Sequence, residues 1–273
     1  MSTYSIFLFA FSLFLSFYSH FNICVAYTSE EDNYDSIYAY DESSGRGPSQ
    51  WGNLNESWYL CGNGTSQSPI NISRLQFTPN LGALQTQYKP AQATLINRGH
   101  DISVKWNGDA GGLNINGTNY TLMDCHWHTP SEHTINGRRF DLELHIVHEN
   151  SLNETTVVGI LYRYGLPNPF LSTLYDQIRS LDNNTNREIP LGIINPYSIG
   201  FANNTGYYRY NGSLTTPPCY ENVLWTLLTQ IQTVSLRQVQ ALKEAVNDGY
   251  EENARPIQPI NGRTVYLYPR SLF

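Results

Sequence analysis

Cys125-His126-Trp127-His128-Thr129-Pro130-Ser131-Glu132-His133, followed beyond an Asn136-Gly137 pair by Phe140-Asp141-Leu142-Glu143-Leu144-His145-Ile146-Val147-His148, is the stretch that decides the reading of this chain. Successive side chains on a strand alternate faces, so His126 and His128 point the same way. In the second run the odd positions set Asp141, Glu143, His145 and Val147 on one face. The even positions set Phe140, Leu142, Leu144, Ile146 and His148 on the other. Asn-Gly between the runs is a turn signal, and pairing of the two strands brings His145 to His126 and His128. Three imidazoles with no fourth protein ligand form a catalytic zinc pattern, whereas structural zinc sites are closed by four ligands, usually including cysteines. Such a zinc lowers the pKa of its bound water to about 7. Glu143, two residues before His145 on the same face, is placed to accept that ring's other N–H. Five of the seven histidines fall within residues 126–148, which argues against isolated core histidines. His133 and His148 do not fit the ligand face and read as structural. H-x-H-x3-E also matches the first cupin motif, with Glu132 as a fourth ligand, but residues 138–144 lack the Pro-x-Gly that the second cupin motif needs.

Further strand-like runs lie on both sides of this stretch: Ala93–Asn97, Ile102–Trp106, Tyr120–His128, Thr155–Tyr164 and Val223–Thr229. Two helices are expected. Asn168-Pro169 supplies an N-cap and a first-turn proline ahead of Phe170, Leu171, Leu174, Ile178 and Leu181. Ser235 caps the second, with Leu236, Val239, Leu242 and Val246 inward and Gly249 just past its end. The fold class is therefore mainly β (α+β), a single domain with a few peripheral helices. No fixed-period repeat and no linker divides it.

Charged residues make up only 14% of the 273 residues, against roughly 25% in typical soluble proteins, and 40% are hydrophobic. That composition excludes a disordered chain. The net charge of −7 excludes a general phosphate-binding surface. Six acids against Arg46 alone place −5 of that charge in residues 27–46, so the rest is nearly neutral. Residues 1–26 carry no charged side chain; Ile6–Phe17 is apolar apart from Ser12 and Ser16, too short to span a bilayer, and Cys24-Val25-Ala26 ends it with small residues. This is the layout of a secretory signal peptide cut after Ala26, although the start lacks Lys and Arg. The expected organisation is residues 1–26 signal peptide, 27–46 acidic N-terminal tail and 47–273 catalytic domain. Cleavage leaves Cys61, Cys125 and Cys219. Cys125 lies on a buried strand, so Cys61–Cys219 is the expected disulfide. Nine Asn-x-Ser/Thr sites support the same compartment. Asn55, Asn63, Asn116, Asn119, Asn153, Asn183 and Asn203 are the glycosylation candidates, whereas Asn71 and Asn211 are expected to be partly buried.

Beyond these readings, the chain resembles the α-class carbonic anhydrases, the secreted plant type above all. The resemblance rests on GPSQW at 47–51, QSPINI at 67–72, NRGHDISV at 97–104, HWHTPSEH at 126–133, ELHIVH at 143–148, YNGSLTTPPC at 210–219 and NARPIQPINGR at 253–263. It implies a large, mostly antiparallel twisted sheet and a zinc lyase that interconverts carbon dioxide and bicarbonate. His126, His128 and His145 resemble the zinc ligands. Thr215 resembles the residue that accepts a hydrogen bond from the zinc-bound hydroxide and passes its own hydrogen to a carboxylate, here Glu132. Val147, Val157, Leu214, Val223 and Trp225 match the apolar wall around carbon dioxide, with the backbone N–H groups of Thr215 and Thr216 receiving a substrate oxygen. His100 resembles the proton shuttle and is expected on an exposed loop. Asp124 stands where the family commonly has glutamine. Some plant relatives have become tuber storage proteins, so a storage or binding glycoprotein on the same scaffold is the alternative. Carbon dioxide and bicarbonate are the expected partners, with no nucleic acid and no transmembrane span. The expected address is extracellular, or the chloroplast reached through the secretory route.

Overall fold

The computed structural model describes residues 37–73, 75–78, 81–181, 186–200 and 205–269. The expected signal peptide and the sequons at Asn183 and Asn203 lie outside the described residues. Among the described residues thirteen strands form one sheet: β1 (Leu75–Phe77), β2 (Gln85–Tyr88), β3 (Ala91–Asn97), β4 (Ile102–Asn107), β5 (Gly111–Ile115), β6 (Thr118–His128), β7 (Leu142–Glu149), β8 (Thr155–Tyr164), β9 (Glu188–Ile194), β10 (Tyr207–Ser213), β11 (Glu221–Leu228), β12 (Gln232–Val234) and β13 (Val265–Tyr268). The main path runs β9-β3-β4-β6-β7-β8-β11-β10-β13-β1. Most neighbours pair antiparallel; β8 with β11, β8 with β12 and β13 with β1 are parallel.

The centre of the sheet is β6-β7-β8. Leu142, Leu144 and Ile146 of β7 enter the larger core with Cys125, Trp127, Val158 and Ile160. The other face of the central sheet meets a second cluster of Val157, Leu161, Tyr210, Val223, Trp225 and Leu227, with Val147 and Leu214 packed against it. The face assignment read from alternation holds through β7. Phe140 is the exception: it precedes the strand and joins the second cluster.

Two short helices, α1 (Trp51–Leu54) and α2 (Tyr59–Asn63), precede the sheet. The longer helices, α3 (Pro169–Arg179) and α4 (Leu236–Ala245), pack against the larger core through Phe170, Leu171, Leu174 and Ile178 and through Val239, Leu242 and Ala245. Asn168 caps α3 by accepting from Leu171 N–H, and a Ser235–Gln238 capping box starts α4. Two expectations for α4 need correction. Leu236, its first residue, is 63% exposed, because the first turn lies beside the core rather than over it. The helix ends at Ala245; Val246 is extended, though still buried, and Gly249 sits in a later turn.

The acidic segment is not wholly a tail. Tyr38 is buried, its ring meets Trp51 and Trp58 edge-on, and its carbonyl accepts from Tyr250 Oη at 2.5 Å. Trp51 Nε1 donates to the Ala39 carbonyl at 2.9 Å. The packed domain therefore starts before Gly47, because these aromatics need a partner that residues 38–40 provide. Cys61 and Cys219 form the expected disulfide, and Cys125 is a free, buried thiol. Asn63, Asn116, Asn119 and Asn153 are exposed and Asn55 half-buried. Asn71 is half-buried as expected, whereas Asn211 proves exposed. Among the described residues no helix is long and apolar enough to cross a membrane.

Candidate metal centre

Antiparallel register sets His145 of β7 directly opposite His126 of β6, and Glu143 opposite His128. The three rings lie 4.5–5.3 Å apart between centroids, and each offers a nitrogen within 4.8 Å of the others. Each ring has its remaining nitrogen anchored. His126 Nδ1 bonds Asp124 Oδ1 at 3.0 Å, His128 Nδ1 bonds the Asn253 carbonyl at 2.8 Å, and His145 Nε2 bonds Glu143 Oε1 at 2.9 Å. That leaves Nε2 of His126, Nε2 of His128 and Nδ1 of His145 to ligate. His128 Nε2 is buried and has no hydrogen-bond partner. A buried polar atom of this kind is costly unless something fills its lone pair. The set fits a tetrahedral cation with one position left open. Burial, above all, pulls the His128 pKa down to about 4, which keeps the ring neutral as ligation requires.

Glu143 is fully buried. Burial pushes its carboxyl up, but His133 and His145 outweigh that and hold it well below the ordinary range. His133 donates its backbone N–H and Nδ1 to Glu143 at 2.7 Å each, and its Nε2 meets Tyr210 Oη at 2.6 Å. Tyr210 Oη in turn meets Ser68 Oγ at 2.8 Å. His133 is therefore structural, as read from sequence, and its engaged nitrogens set aside a second potential metal cluster with Glu143 and His145. Gly159 lies opposite His145 across β7 and β8. A Cβ there would come within 2.6 Å of Leu227 and 3.3 Å of Glu143 Oε1, so glycine preserves the room this carboxylate occupies.

Glu132 is buried, and its Oε1 accepts from the Arg255 backbone N–H at 2.9 Å. Its Oε2 is buried without a partner, 4.0 Å from His145 Nε2. Thr215 is buried and Thr216 half-buried in the turn after β10. Val147, Val157 and Trp225 occupy adjoining positions across β7, β8 and β11, and the Trp225 ring lies 4.8 Å from that of His145. Val223 and Leu214 complete the same cluster beside the histidines.

His100 departs from expectation: it is 6% exposed, not on an open loop. The Tyr38 ring lies 5.7 Å from it, and its Nε2 is 3.5 Å from Asp101 Oδ2. Its carbonyl accepts from Asn253 Nδ2 at 2.8 Å. The cause is the N-terminal segment, whose packing over this loop nothing local in NRGHDISV indicates. Asp101 is bound at 2.6–2.7 Å by Arg98; burial pushes its carboxyl up, but Arg98 together with His100 and His126 outweighs that and holds it far below its usual range.

Asn253 and Arg255 are the residues that sequence reasoning missed. Asn253 accepts from His128, donates to the His100 and Trp127 carbonyls, and accepts from Thr129 N–H. Arg255 orients Glu132 and donates to carbonyl and amide oxygens of Gln67, Ser68 and Cys61. Their signal was the NARPIQPINGR motif, which carried resemblance but no role.

His148 is buried with Nε2 2.8 Å from Tyr88 Oη, and burial lowers its pKa to about 3. In the unfolded chain His128 and His148 take up protons near pH 6.5; in the folded one they do so only near 4 and 3. The unfolded state therefore binds more protons across this window, and stability falls as pH falls. Denaturant unfolding of the metal-free protein is expected to show a loss of about 3 kcal/mol between pH 6.5 and pH 5, roughly one proton per histidine. A flat profile over that range would contradict both buried assignments.

A family model for eukaryotic-type carbonic anhydrase matches residues 46–269. The chain is 45% identical over 248 residues to alpha carbonic anhydrase 4 of Arabidopsis thaliana, covering 90% of this chain and 91% of that one. It is 47% identical over 235 residues to dioscorin DB3L of Dioscorea polystachya, covering 85% and 86%. Among solved structures, dioscorin complexed with ascorbate superposes with a TM-score of 0.83 at 43% identity, covering 86% of this chain and 99% of that one. A hyperthermostable carbonic anhydrase from a hydrothermal vent chimney gives 0.76 at 30%, covering 84% and 99%. With these matches running through both histidine strands and nearly the whole sheet, the chain belongs to the eukaryotic-type α-carbonic anhydrase family.

Proposed function

We propose that the protein is a zinc-dependent carbonic anhydrase that catalyses the reversible hydration of carbon dioxide to bicarbonate and a proton. One observation carries the reading: three histidines converge with their outer nitrogens anchored, and the inward Nε2 of His128 is buried without a partner. Zinc bound there supplies a Lewis acid that makes water nucleophilic at neutral pH. The protein's own residues do the rest. His126, His128 and His145 hold the metal, while Asp124, Glu143 and the Asn253 carbonyl fix the three tautomers. Glu132, pinned through Oε1 by Arg255, keeps a buried Oε2 with no partner among the described residues, an acceptor available to the Thr215 hydroxyl hydrogen. Thr215 is thereby left to accept from the nucleophile and aim it, a positioning effect. Val147, Val157, Leu214, Val223 and Trp225 give carbon dioxide a water-poor wall, and the N–H groups of Thr215 and Thr216 receive its oxygen. His100 exports the proton, from beneath Tyr38 rather than from an open loop. The family, the disulfide and the sequons favour a secreted glycoprotein.

The second reading, a storage or binding glycoprotein on the same scaffold, has in its favour that similarity to proteins named dioscorin is as high as similarity to those named carbonic anhydrase. Against it, His126, His128, His145, Glu132 and Thr215 all stand. Zinc content measured beside carbon dioxide hydration on the secreted, purified protein separates the two. One zinc per chain and hydration abolished by a sulfonamide is the expected result. Folded protein that stays empty and inactive after zinc is added back would establish the second reading instead.

Asp124 gives a sharper prediction. Burial raises its carboxyl, but the His126 hydrogen bond and the Arg98 charge outweigh this and keep it below the ordinary value, hence ionised at working pH. A negative charge beside a metal ligand disfavours loss of a proton from metal-bound water. Asp124→Gln should therefore move the activity–pH midpoint downward, by up to about one pH unit. A midpoint that stayed put or rose would show that the carboxylate has no such effect.

A further inference from the structure

Arg209 is 5% exposed, on β10. Tyr208 and Tyr210 on either side of it belong to the cluster beside the histidines, so alternation sets Arg209 on the opposite face of the sheet. Its Nε and Nη2 both donate to Thr226 Oγ1, at 3.2 and 2.9 Å, and its guanidinium lies 4.6 Å over the Tyr207 ring. Among the described residues it has no carboxylate partner; burial lowers its pKa, and only Tyr207 and Tyr120 act against that shift. The contrast with Arg255 is direct. That equally buried guanidinium is bonded to Gln67, Ser68 and Cys61 and feels the charge of Glu132. A buried cation with no counter-charge is unfavourable unless an anion joins it.

Arg209 also lines a cavity of about 250 Å³. One wall is the Leu81–Gln85 segment, held by Tyr207 Oη donating to the Leu81 and Gly82 carbonyls at 3.3 and 2.8 Å. The other wall is the Asn116-Gly117 turn between β5 and β6, with Asn116 exposed at the rim. Thr226 occupies the Nε–Nη2 edge of the guanidinium. The Nη1–Nη2 edge keeps a pair of parallel N–H groups with no protein partner among the described residues. Such a fork matches two oxygens of one carboxylate or phosphate group. The volume is below that of sites for drug-sized ligands, which favours a compact anion.

We propose that this cavity binds a small oxyanion, a carboxylate or a phosphate group, gripped end-on by the Nη1–Nη2 fork of Arg209. The site lies on the face of the sheet away from the metal centre and does not depend on catalysis.

The test is thermal unfolding of the secreted full-length protein titrated with sodium acetate or inorganic phosphate at constant ionic strength set with chloride. It is run on the wild type and on His145→Ala, because a bound metal would itself take anions. The expected result in both backgrounds is a melting temperature that rises and saturates, with a half-point of about 1 mM. The acetate and phosphate arms show which headgroup is preferred. Arg209→Gln in the His145→Ala background should abolish the rise. Arg209→Lys, which keeps the charge but not the fork, should weaken it at least about fivefold, and it carries the comparison if Arg209→Gln does not fold. The proposal is overturned by saturation that both Arg209 variants leave unchanged, by a rise lost with His145→Ala alone, or by no saturable rise in either parent.

Discussion

Replacing His145 by alanine is expected to strip zinc from the purified protein and to bring carbon dioxide hydration down to the level of the metal-free chain. In the proposed centre His145 is one of three histidine ligands, and its partner across the strands is His126 itself, so its loss leaves two imidazoles for the ion. Removing an outer-shell partner of a metal ligand typically lowers affinity or activity ten- to hundredfold, and losing a ligand should exceed that. The fold should survive, because Glu143 keeps both of its hydrogen bonds from His133. Metal analysis, hydration rate and circular dichroism on one preparation check the three parts separately. A His145→Ala protein that retained one tightly held zinc and wild-type turnover would refute the metal centre described above.

The second large effect concerns the disulfide. Cys61 lies in α2 and Cys219 immediately follows Pro218, 158 residues away in sequence. Opening a loop of that length costs about 4–5 kcal/mol of stability in the chain-entropy model. The bridge also sits among bonds that reach the site: Gln67 Nε2 donates to the Cys219 carbonyl at 3.0 Å, and Arg255 Nη2 to the Cys61 carbonyl at 2.8 Å. Reduction, or Cys61→Ser with Cys219→Ser, is therefore expected to lower stability by that amount. It should also depress hydration, by loosening the turn that carries Thr215 and Thr216. Denaturant unfolding and hydration assays with the free thiols counted would decide it. Undiminished activity in fully reduced protein would show that the turn holds its shape without the bridge.

Much of this was written locally. Period-two alternation sets His126 with His128 on one face of its strand and Glu143 with His145 on one face of the next, and a strand cannot shift register by one residue without turning its pair away. Asn168-Pro169 and Ser235 mark helix starts because a cap needs only its own first turn. The disulfide followed from counting once Cys125 was assigned to a buried strand. The same locality explains the misses. Leu236 fits an inward helical position, yet which face of the first turn meets the core depends on where the sheet lies. His100 reads as an open-loop histidine because the Tyr38 ring that covers it comes from about 60 residues upstream, in a segment whose charge suggested a tail.

The sequence by itself determined the three-histidine cluster, the strands that carry it, the family resemblance and the expected Cys61–Cys219 bridge, since each depends on residue type and short spacing. Tertiary structure alone decided which ring nitrogen His128 turns inward, that Asn253 and Arg255 hold His128 and Glu132 from more than 120 residues away, and that His100 is covered. It also left Arg209 buried with an open fork, while both terminal nitrogens of Arg255 are bonded to Gln67, Ser68 and Cys61. The physical reason is common to all four. Hydrogen-bond partners and burial are set by what the folded chain brings within about 3 Å of a group, and no spacing along the sequence specifies that distance.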